Sequence, residues 1–344
     1  MPVQIQIEEF LELSKSLPVI DVRSEGEFKQ GHIPGAFNVP VMNDEERAAV
    51  GTAYKRNGRQ NAILKGLELT GPYLKDRLKC AAKKVKNERV LVYCWRGGMR
   101  SGFFSYLLEF YGLKPVVLKG GYKSFRHIVL KEFDKPREIY VIGGMTGSGK
   151  TEVLNELKNA GQQVIDLEGI ACHKGSAFGG IGQGQQPTQE QFENYLATEL
   201  MSTHRNEPLW LEDEGRTIGN KVLPLGLWNQ KQSAFTFIMQ IEFEKRLDYI
   251  YNSYGLLPVE SLVEATQKIA KRLGNEQFKE SVALLEQGRI KEGLAYSLRY
   301  YDKAYQHLQN KKAEIEQCLV YCETTNAFSN ARTILNKKNE ILKV

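Results

Sequence analysis

Glu138-Ile139-Tyr140-Val141-Ile142-Gly143-Gly144-Met145-Thr146-Gly147-Ser148-Gly149-Lys150-Thr151 reads as an apolar strand running straight into the pattern G-x4-G-K-[ST]. A strand before this motif and a helix after it are the context that makes it a phosphate-binding loop. The spacing predicts a helix over 150–159, stopped by Gly161. Gly144, Gly147, Ser148 and Gly149 would wrap their backbone amides around a di- or triphosphate, with Lys150 on its terminal oxygens and Thr151 beside Mg²⁺. Further along, Leu209-Trp210-Leu211 runs into Glu212-Asp213-Glu214. That is a Walker B-like pattern in which Asp213 or Glu214 would hold a metal-bound water; the plainer reading is a charged strand end. Residues 169–184 form a basic, glycine-rich loop, a candidate lid over the phosphates or an ordinary surface loop. Cys172-His173 has no companion ligands at zinc spacing, so no structural metal is expected.

A second loop lies upstream. Val90-Leu91-Val92-Tyr93 is a buried strand that delivers Cys94-Trp95-Arg96-Gly97-Gly98-Met99-Arg100-Ser101, and a helix follows over 101–110. Loop amides and the positive end of a helix stabilise an anion at the cysteine sulfur. Gly97 and Gly98 give the backbone the freedom to curl, and Arg96 and Arg100 can bond an oxyanion or a chalcogen anion. A buried structural cysteine is the plainer reading of Cys94. Five residues separate Cys94 from Arg100, the spacing of cysteine-based phosphatases.

Strands are also expected at 17–23, 115–118, 163–167, 208–214 and 235–241, with helices at 25–30 and through most of 41–87, where Asp44 is an N-cap candidate. Residues 318–322 fit helix or strand equally, and the chain from Pro258 onward reads as helical. Strand–helix alternation implies parallel sheets, and 344 residues suffice for two cores. The boundary is expected at 136/137, giving domains 1–136 and 137–344.

Residues 55–137 hold 20 Lys and Arg against 6 Asp and Glu, while the flanking segments are mildly acidic. Such a block steers a polyanion toward the cysteine loop, or is simply a solvated lysine-rich face. No apolar run nears the roughly 20 residues of a membrane span, and the first ten residues lack a signal-peptide pattern. Five unframed cysteines fit a reducing compartment, and the cytoplasm is the expectation.

Asp21-Val22-Arg23, Gly31-His32-Ile33-Pro34-Gly35-Ala36 and Pro40, followed by Cys94, resemble the rhodanese family, with Asp21 and Arg23 as loop organisers. Most sulfur-transferring rhodaneses have four residues between cysteine and arginine, so the longer loop here departs from the pattern. The full ordered set adds the cysteine loop, the phosphate loop and Arg299-Tyr300-Tyr301-Asp302. It resembles the bacterial tRNA 2-selenouridine synthases, in which a rhodanese domain is fused to a P-loop domain.

That resemblance implies an α/β fold. An N-terminal rhodanese-like parallel-sheet domain would precede a P-loop NTPase-like α/β domain with a helical C-terminal part. It implies a transferase acting on the wobble uridine of the tRNA anticodon: S-geranylation of 2-thiouridine with geranyl diphosphate, then selenium transfer from selenophosphate. Cys94, Arg96 and Arg100 would be catalytic. Neither co-substrate would be tightly bound as a cofactor, and Mg²⁺ would be optional. The alternative is a sulfurtransferase or Cys-x5-Arg phosphatase with an accessory nucleotide domain. Phe178, Trp228 and the aromatics of 235–243 are groove candidates for a prenyl tail; residues 55–137 and 289–312 are candidate tRNA surfaces.

Overall fold

Val3–Ile5 (β1), Val19–Asp21 (β2), Phe37–Asn38 (β3), Arg89–Tyr93 (β4) and Lys114–Leu118 (β5) form one parallel sheet in the order β1-β5-β4-β2-β3. The computed structural model describes residues 2–86, 88–176, 178–311 and 316–342. Two units make it up: residues to 132 with 188–198, and 133–187 with 199–344. The boundary read from sequence, 136/137, lies beside the one at 132/133, while residues 188–198 return to the first unit.

In the first unit the sheet is covered on both faces, so β4 is a continuous apolar run, with Val90, Leu91, Val92 and Tyr93 all fully buried. Ile20, Val22, Val92, Phe104 and Leu108 share one core cluster. Connections leave β2 toward β3 on one side and reach β4 on the other, so the sheet reverses direction between β2 and β4. A crevice at the carboxyl ends of strands forms at such a reversal, and Asp21 lies in register with Tyr93 there.

The helix after β3 begins at Asp44, but its cap is Asn43, not Asp44. The Asn43 side chain accepts the Glu46 N–H at 2.8 Å and the Glu46 carboxylate accepts the Asn43 N–H at 2.9 Å. This reciprocal box needs an acid three residues after the cap, which Asn43 has and Asp44 lacks. The sequence reading gave no strand to Val3–Ile5; it is a three-residue edge strand paired only with β5.

The second unit has its own parallel sheet. Ile139–Gly144 (β6), Gln163–Val164 (β7), Leu209–Glu212 (β8), Phe235–Gln240 (β11) and Gln317–Tyr321 (β12) run in the order β12-β11-β6-β8-β7; Thr217–Ile218 (β9) and Lys221–Val222 (β10) make a small antiparallel ribbon. β12 resolves the open choice at 318–322, because β11 offers five parallel partners and Val320 enters the core. The strand expected over 163–167 stops at Val164, since Asp166 caps the helix Leu167–Ala171 by accepting the Gly169 N–H at 2.7 Å. β6 is central, flanked by β8 and β11, and the connections diverge on either side of it. The phosphate loop therefore leaves the sheet at its reversal point. Helices dominate from Phe243 to Lys311, and Ala327–Leu342 closes the described chain. Among the described residues no helix is long and apolar enough to cross a membrane.

Candidate active site

In the first unit, β4 carries Cys94 to the crevice, where the side chain is buried and its Sγ lies 3.2 Å from Ser101 Oγ. Ser101 stands in the first turn of the helix Met99–Phe110, so loop and helix N-terminus surround the sulfur together. Two glycines make this curl sterically feasible. Gly97 has φ +65°, and a Cβ there would stand 2.4 Å from the Leu118 carbonyl; Gly121 has φ +60°, and a Cβ there would meet the Cys94 carbonyl at 2.3 Å. The segment after β5 thus clamps the loop backbone, with the Tyr122 N–H donating to Cys94 O at 2.8 Å and the Lys123 N–H to Trp95 O at 3.0 Å.

Beneath the loop, Asp21 and Arg23 form a buried ion pair. Arg23 Nη2 donates to Asp21 Oδ2 at 2.6 Å and to Gly31 O at 2.6 Å, and its guanidinium lies 3.9 Å from the Tyr122 ring centroid. The Tyr122 hydroxyl bonds Glu190 at 2.7 Å and receives the Asn194 amide at 2.8 Å. Removing one member of such a pair strands a charge in low dielectric, a cost of about 3–5 kcal/mol. Arg23→Ala is therefore expected to lower the unfolding free energy of the first unit by about 3–5 kcal/mol, read from denaturant titration. The double replacement Asp21→Asn with Arg23→Gln is expected to cost less; a larger loss for the double variant contradicts the pairing.

The two arginines of the loop differ. Arg100 gives Nη1 and Nη2 to the two Glu27 oxygens at 2.6 and 3.2 Å. Burial alone would raise the Glu27 carboxyl, but the Arg100 bonds outweigh it and hold that group below its usual range. Arg96 is exposed and makes no ion pair among the described residues.

In the second unit, Lys150 opens the helix Lys150–Asn159 and its Nζ donates to Gly144 O at 3.3 Å. The Ser148 hydroxyl is buried and has no hydrogen-bond partner among the described residues. Arg246 braces the loop from behind, donating to Thr146 O at 3.0 Å and forking onto Asp302 at 2.8 Å twice. Tyr305 accepts the Gly144 N–H at 2.9 Å. Asp302 in the Arg299-Tyr300-Tyr301-Asp302 string thereby has a concrete role: it holds the arginine that fixes the phosphate loop.

Thr151 donates to Glu168 at 3.0 Å and to Glu212 at 3.4 Å. Sequence reasoning named Asp213 and Glu214. Both line the cavity, with Asp213 lying 3.7 Å from Lys231, but the acid that β8 delivers to Thr151 is Glu212, one residue earlier. Burial, then the charge of Glu214, pushes the Glu168 carboxyl up to about 7, against the pull of Lys150. Burial and then the charge of Glu168 push the Glu212 carboxyl well above its usual range. Glu168 carried no sequence signal, since the chain bends there at the Asp166 cap.

The phosphate loop opens into a cavity of about 300 Å³. Its far wall is apolar and aromatic, with Phe178, Ile250, Tyr254, Leu294, Leu298 and Tyr301. Of the groove candidates only Phe178 is there; Phe235 and Phe237 pack in the sheet core and Trp228 lies under Lys231. Lys174, Gly175 and Ser176 of the expected lid also line the cavity, while Ala177 lies outside the described residues, as does Lys312 of the 289–312 surface.

Residues 137–330 match the family described as tRNA 2-selenouridine synthase AAA domain, and residues 6–128 match the Rhodanese-like domain. The tRNA 2-selenouridine synthase of Nitrosomonas europaea is 35% identical over 312 residues, covering 79% of this chain and 80% of that one. Its counterpart in Sulfurovum sp. is 37% identical over 331 residues, covering 86% and 90%. A crystal structure of the N-terminal domain of a Clostridium difficile 630 protein described as ATP/GTP binding matches at 41% identity and TM-score 0.34, covering 37% of this chain and 98% of that one.

Proposed function

The chain belongs to the tRNA 2-selenouridine synthase family, and from that premise we propose that it exchanges sulfur for selenium at the wobble uridine of tRNA in two steps, each served by one of its loops. In the first step, the sulfur of 2-thiouridine attacks carbon 1 of geranyl diphosphate. The carbon–oxygen bond breaks, diphosphate leaves, and the base loses its N3 proton. Alkylation converts a poor leaving group into a good one. In the second, the Cys94 thiolate takes the phosphoryl group of selenophosphate, its S–P bond forming as the P–Se bond breaks. The hydroselenide released adds to carbon 2 of the base, and geranyl thiolate departs. The proton passes to N3 to leave the selenocarbonyl, and water hydrolyses the phosphocysteine.

The observation that carries this reading is the composition of the second unit's cavity. A nucleotide base could stack on Tyr254 or Tyr301, whereas a prenyl tail needs a continuous aliphatic surface. Here the loop of Gly144, Gly147, Ser148, Gly149, Lys150 and Thr151 opens toward Leu294, Leu298, Ile250 and Phe178, which suit a ten-carbon tail. Burying such a tail is worth about 0.8 kcal/mol per carbon before ordering costs. Lys150 and the partnerless Ser148 hydroxyl would hold the departing diphosphate. Among the described residues no three His, Cys, Asp or Glu side chains are arranged to hold a metal. Mg²⁺ would thus arrive with the diphosphate, at Thr151 with Glu168 and Glu212 nearby, and would supply charge neutralisation.

Cys94 is the nucleophile toward the phosphorus of the selenium donor, and Arg96 is the cation free to take the phosphate charge there. A Cys-x5-Arg phosphatase would need Arg100 over the sulfur, whereas both Glu27 oxygens engage it. Calorimetric titration tests the cavity assignment. Geranyl diphosphate is expected to bind about 100-fold more tightly than inorganic diphosphate. Tight binding of ATP with none of geranyl diphosphate would overturn it.

A further inference from the structure

Residues 48–64 contain Lys55, Arg56 and Arg59 and not one Asp or Glu. The helix spanning Asp44–Thr70 breaks at Gly58, whose φ is 81° and ψ −179°. Beyond the break the chain turns back: a Cβ on Gly66 would stand 3.8 Å from the Val50 side chain. Those two residues flank Gly58 symmetrically, and a continuous helix would hold them roughly 24 Å apart. The element is therefore a helical hairpin, its bend tied by the Asn61 amide donating to Asn57 O at 2.8 Å.

Residues 54–61 at the bend are all exposed, including Tyr54 at 55%. The cations that flank the hairpin bend have carboxylate partners, Arg47 with Glu27, Lys65 with Glu68 and Arg77 with Glu46. Lys55, Arg56 and Arg59 make no ion pair among the described residues. Three neighbouring cations without counter-charge repel one another and are compensated only by an external anion.

We propose that this bend is a docking point for the RNA backbone, with Lys55, Arg56 and Arg59 on successive phosphates and Tyr54 against an unstacked base or ribose. The proposal rests on the reading that tRNA is the substrate. It selects, from the long basic block, a place where, among the described residues, three unpaired cations lie beside an exposed aromatic ring and amide side chains. Phosphate contacts fix register without reading sequence, and an exposed tyrosine suits single-stranded loops.

Fluorescence anisotropy of labelled tRNA with the full chain, from 50 to 300 mM salt, tests this. The triple variant Lys55→Gln, Arg56→Gln, Arg59→Gln is expected to bind about 50-fold more weakly near 0.15 M salt. The slope of log affinity against log salt is expected to flatten by about 2–3. Unchanged circular dichroism and thermal unfolding show that the first unit is intact, and unchanged geranyl diphosphate binding shows the same of the second. Should the triple variant fold poorly, Arg59→Gln alone must flatten the slope by about 0.7–0.9. Variants that match wild type in affinity and slope overturn the hairpin assignment alone, leaving an acidic protein surface as its partner. A wild-type chain that binds no tRNA at any salt overturns the substrate reading and this proposal with it.

Discussion

Cys94→Ser is expected to lower the formation of 2-selenouridine by about three orders of magnitude or more, while S-geranyl-2-thiouridine still forms at the wild-type rate and accumulates. Replacing sulfur by oxygen keeps the shape at a buried position and the neighbouring Ser101 hydroxyl at 3.2 Å, so the loop is expected to keep its form. What is lost is the nucleophile, because a serine hydroxyl beside no base is not ionised near neutral pH, and such losses are typically that large. Mass spectrometry of nucleosides from digested tRNA reads both products in one sample. A variant that selenates normally would remove Cys94 from the chemistry and leave it a buried strand-end residue. Loss of both products together would instead point to a collapsed first unit.

Lys150→Ala is the mirror image. The Lys150 ammonium lies at the Gly144 carbonyl and at the N-terminus of the helix Lys150–Asn159, where the proposed departing diphosphate would gather charge. Removing one such stabilising donor costs roughly 10²–10³ in rate. Geranyl transfer at limiting donor should fall by that factor. Selenation of tRNA that already carries the S-geranyl group should proceed at the wild-type rate. Unchanged geranyl transfer would move the prenyl donor out of the phosphate loop; an equal loss in the second reaction would mean that Lys150 serves both.

Much of this was legible in the sequence because it is local. β4 and Cys94, and β6 with the loop through Thr151, are short apolar runs ending in motifs whose geometry follows from spacing. The buried Asp21–Arg23 pair is likewise local, two residues apart on one strand end. What the sequence concealed depends on distant contacts. Arg246 and Asp302 are 56 residues apart, and Arg246 is 100 from the Thr146 carbonyl it holds. Tyr305 reaches Gly144 across 161 positions. Residues 188–198 join the first unit through Gln191, Glu193 and Asn194, whose partners His32, Tyr122 and Arg126 lie far upstream. No periodicity or motif marks those positions, because their role is set by the partner.

The Walker B-like run shows a subtler limit. Three acids in succession, Glu212-Asp213-Glu214, could each have faced the loop. Register places all three at the loop in different ways: Glu212, paired with Ile142 as the last residue of β8, accepts from Thr151, while Asp213 and Glu214 line the cavity beyond it. Of the aromatic groove candidates, Phe178 lines the cavity and others do not, for a similar reason. Phe235 and Phe237 sit on a strand whose side chains fill the sheet core, whereas the cavity takes its wall from helices Phe243–Tyr254 and Ile290–Lys311.

A single-turnover time course with excess wild-type enzyme, 2-thiouridine tRNA, geranyl diphosphate and selenophosphate tests the two-loop sequence most directly. S-geranyl-2-thiouridine is expected to rise first and then decay at the rate at which 2-selenouridine appears, with neither formed when geranyl diphosphate is omitted. Formation of 2-selenouridine at full rate without the prenyl donor would contradict it.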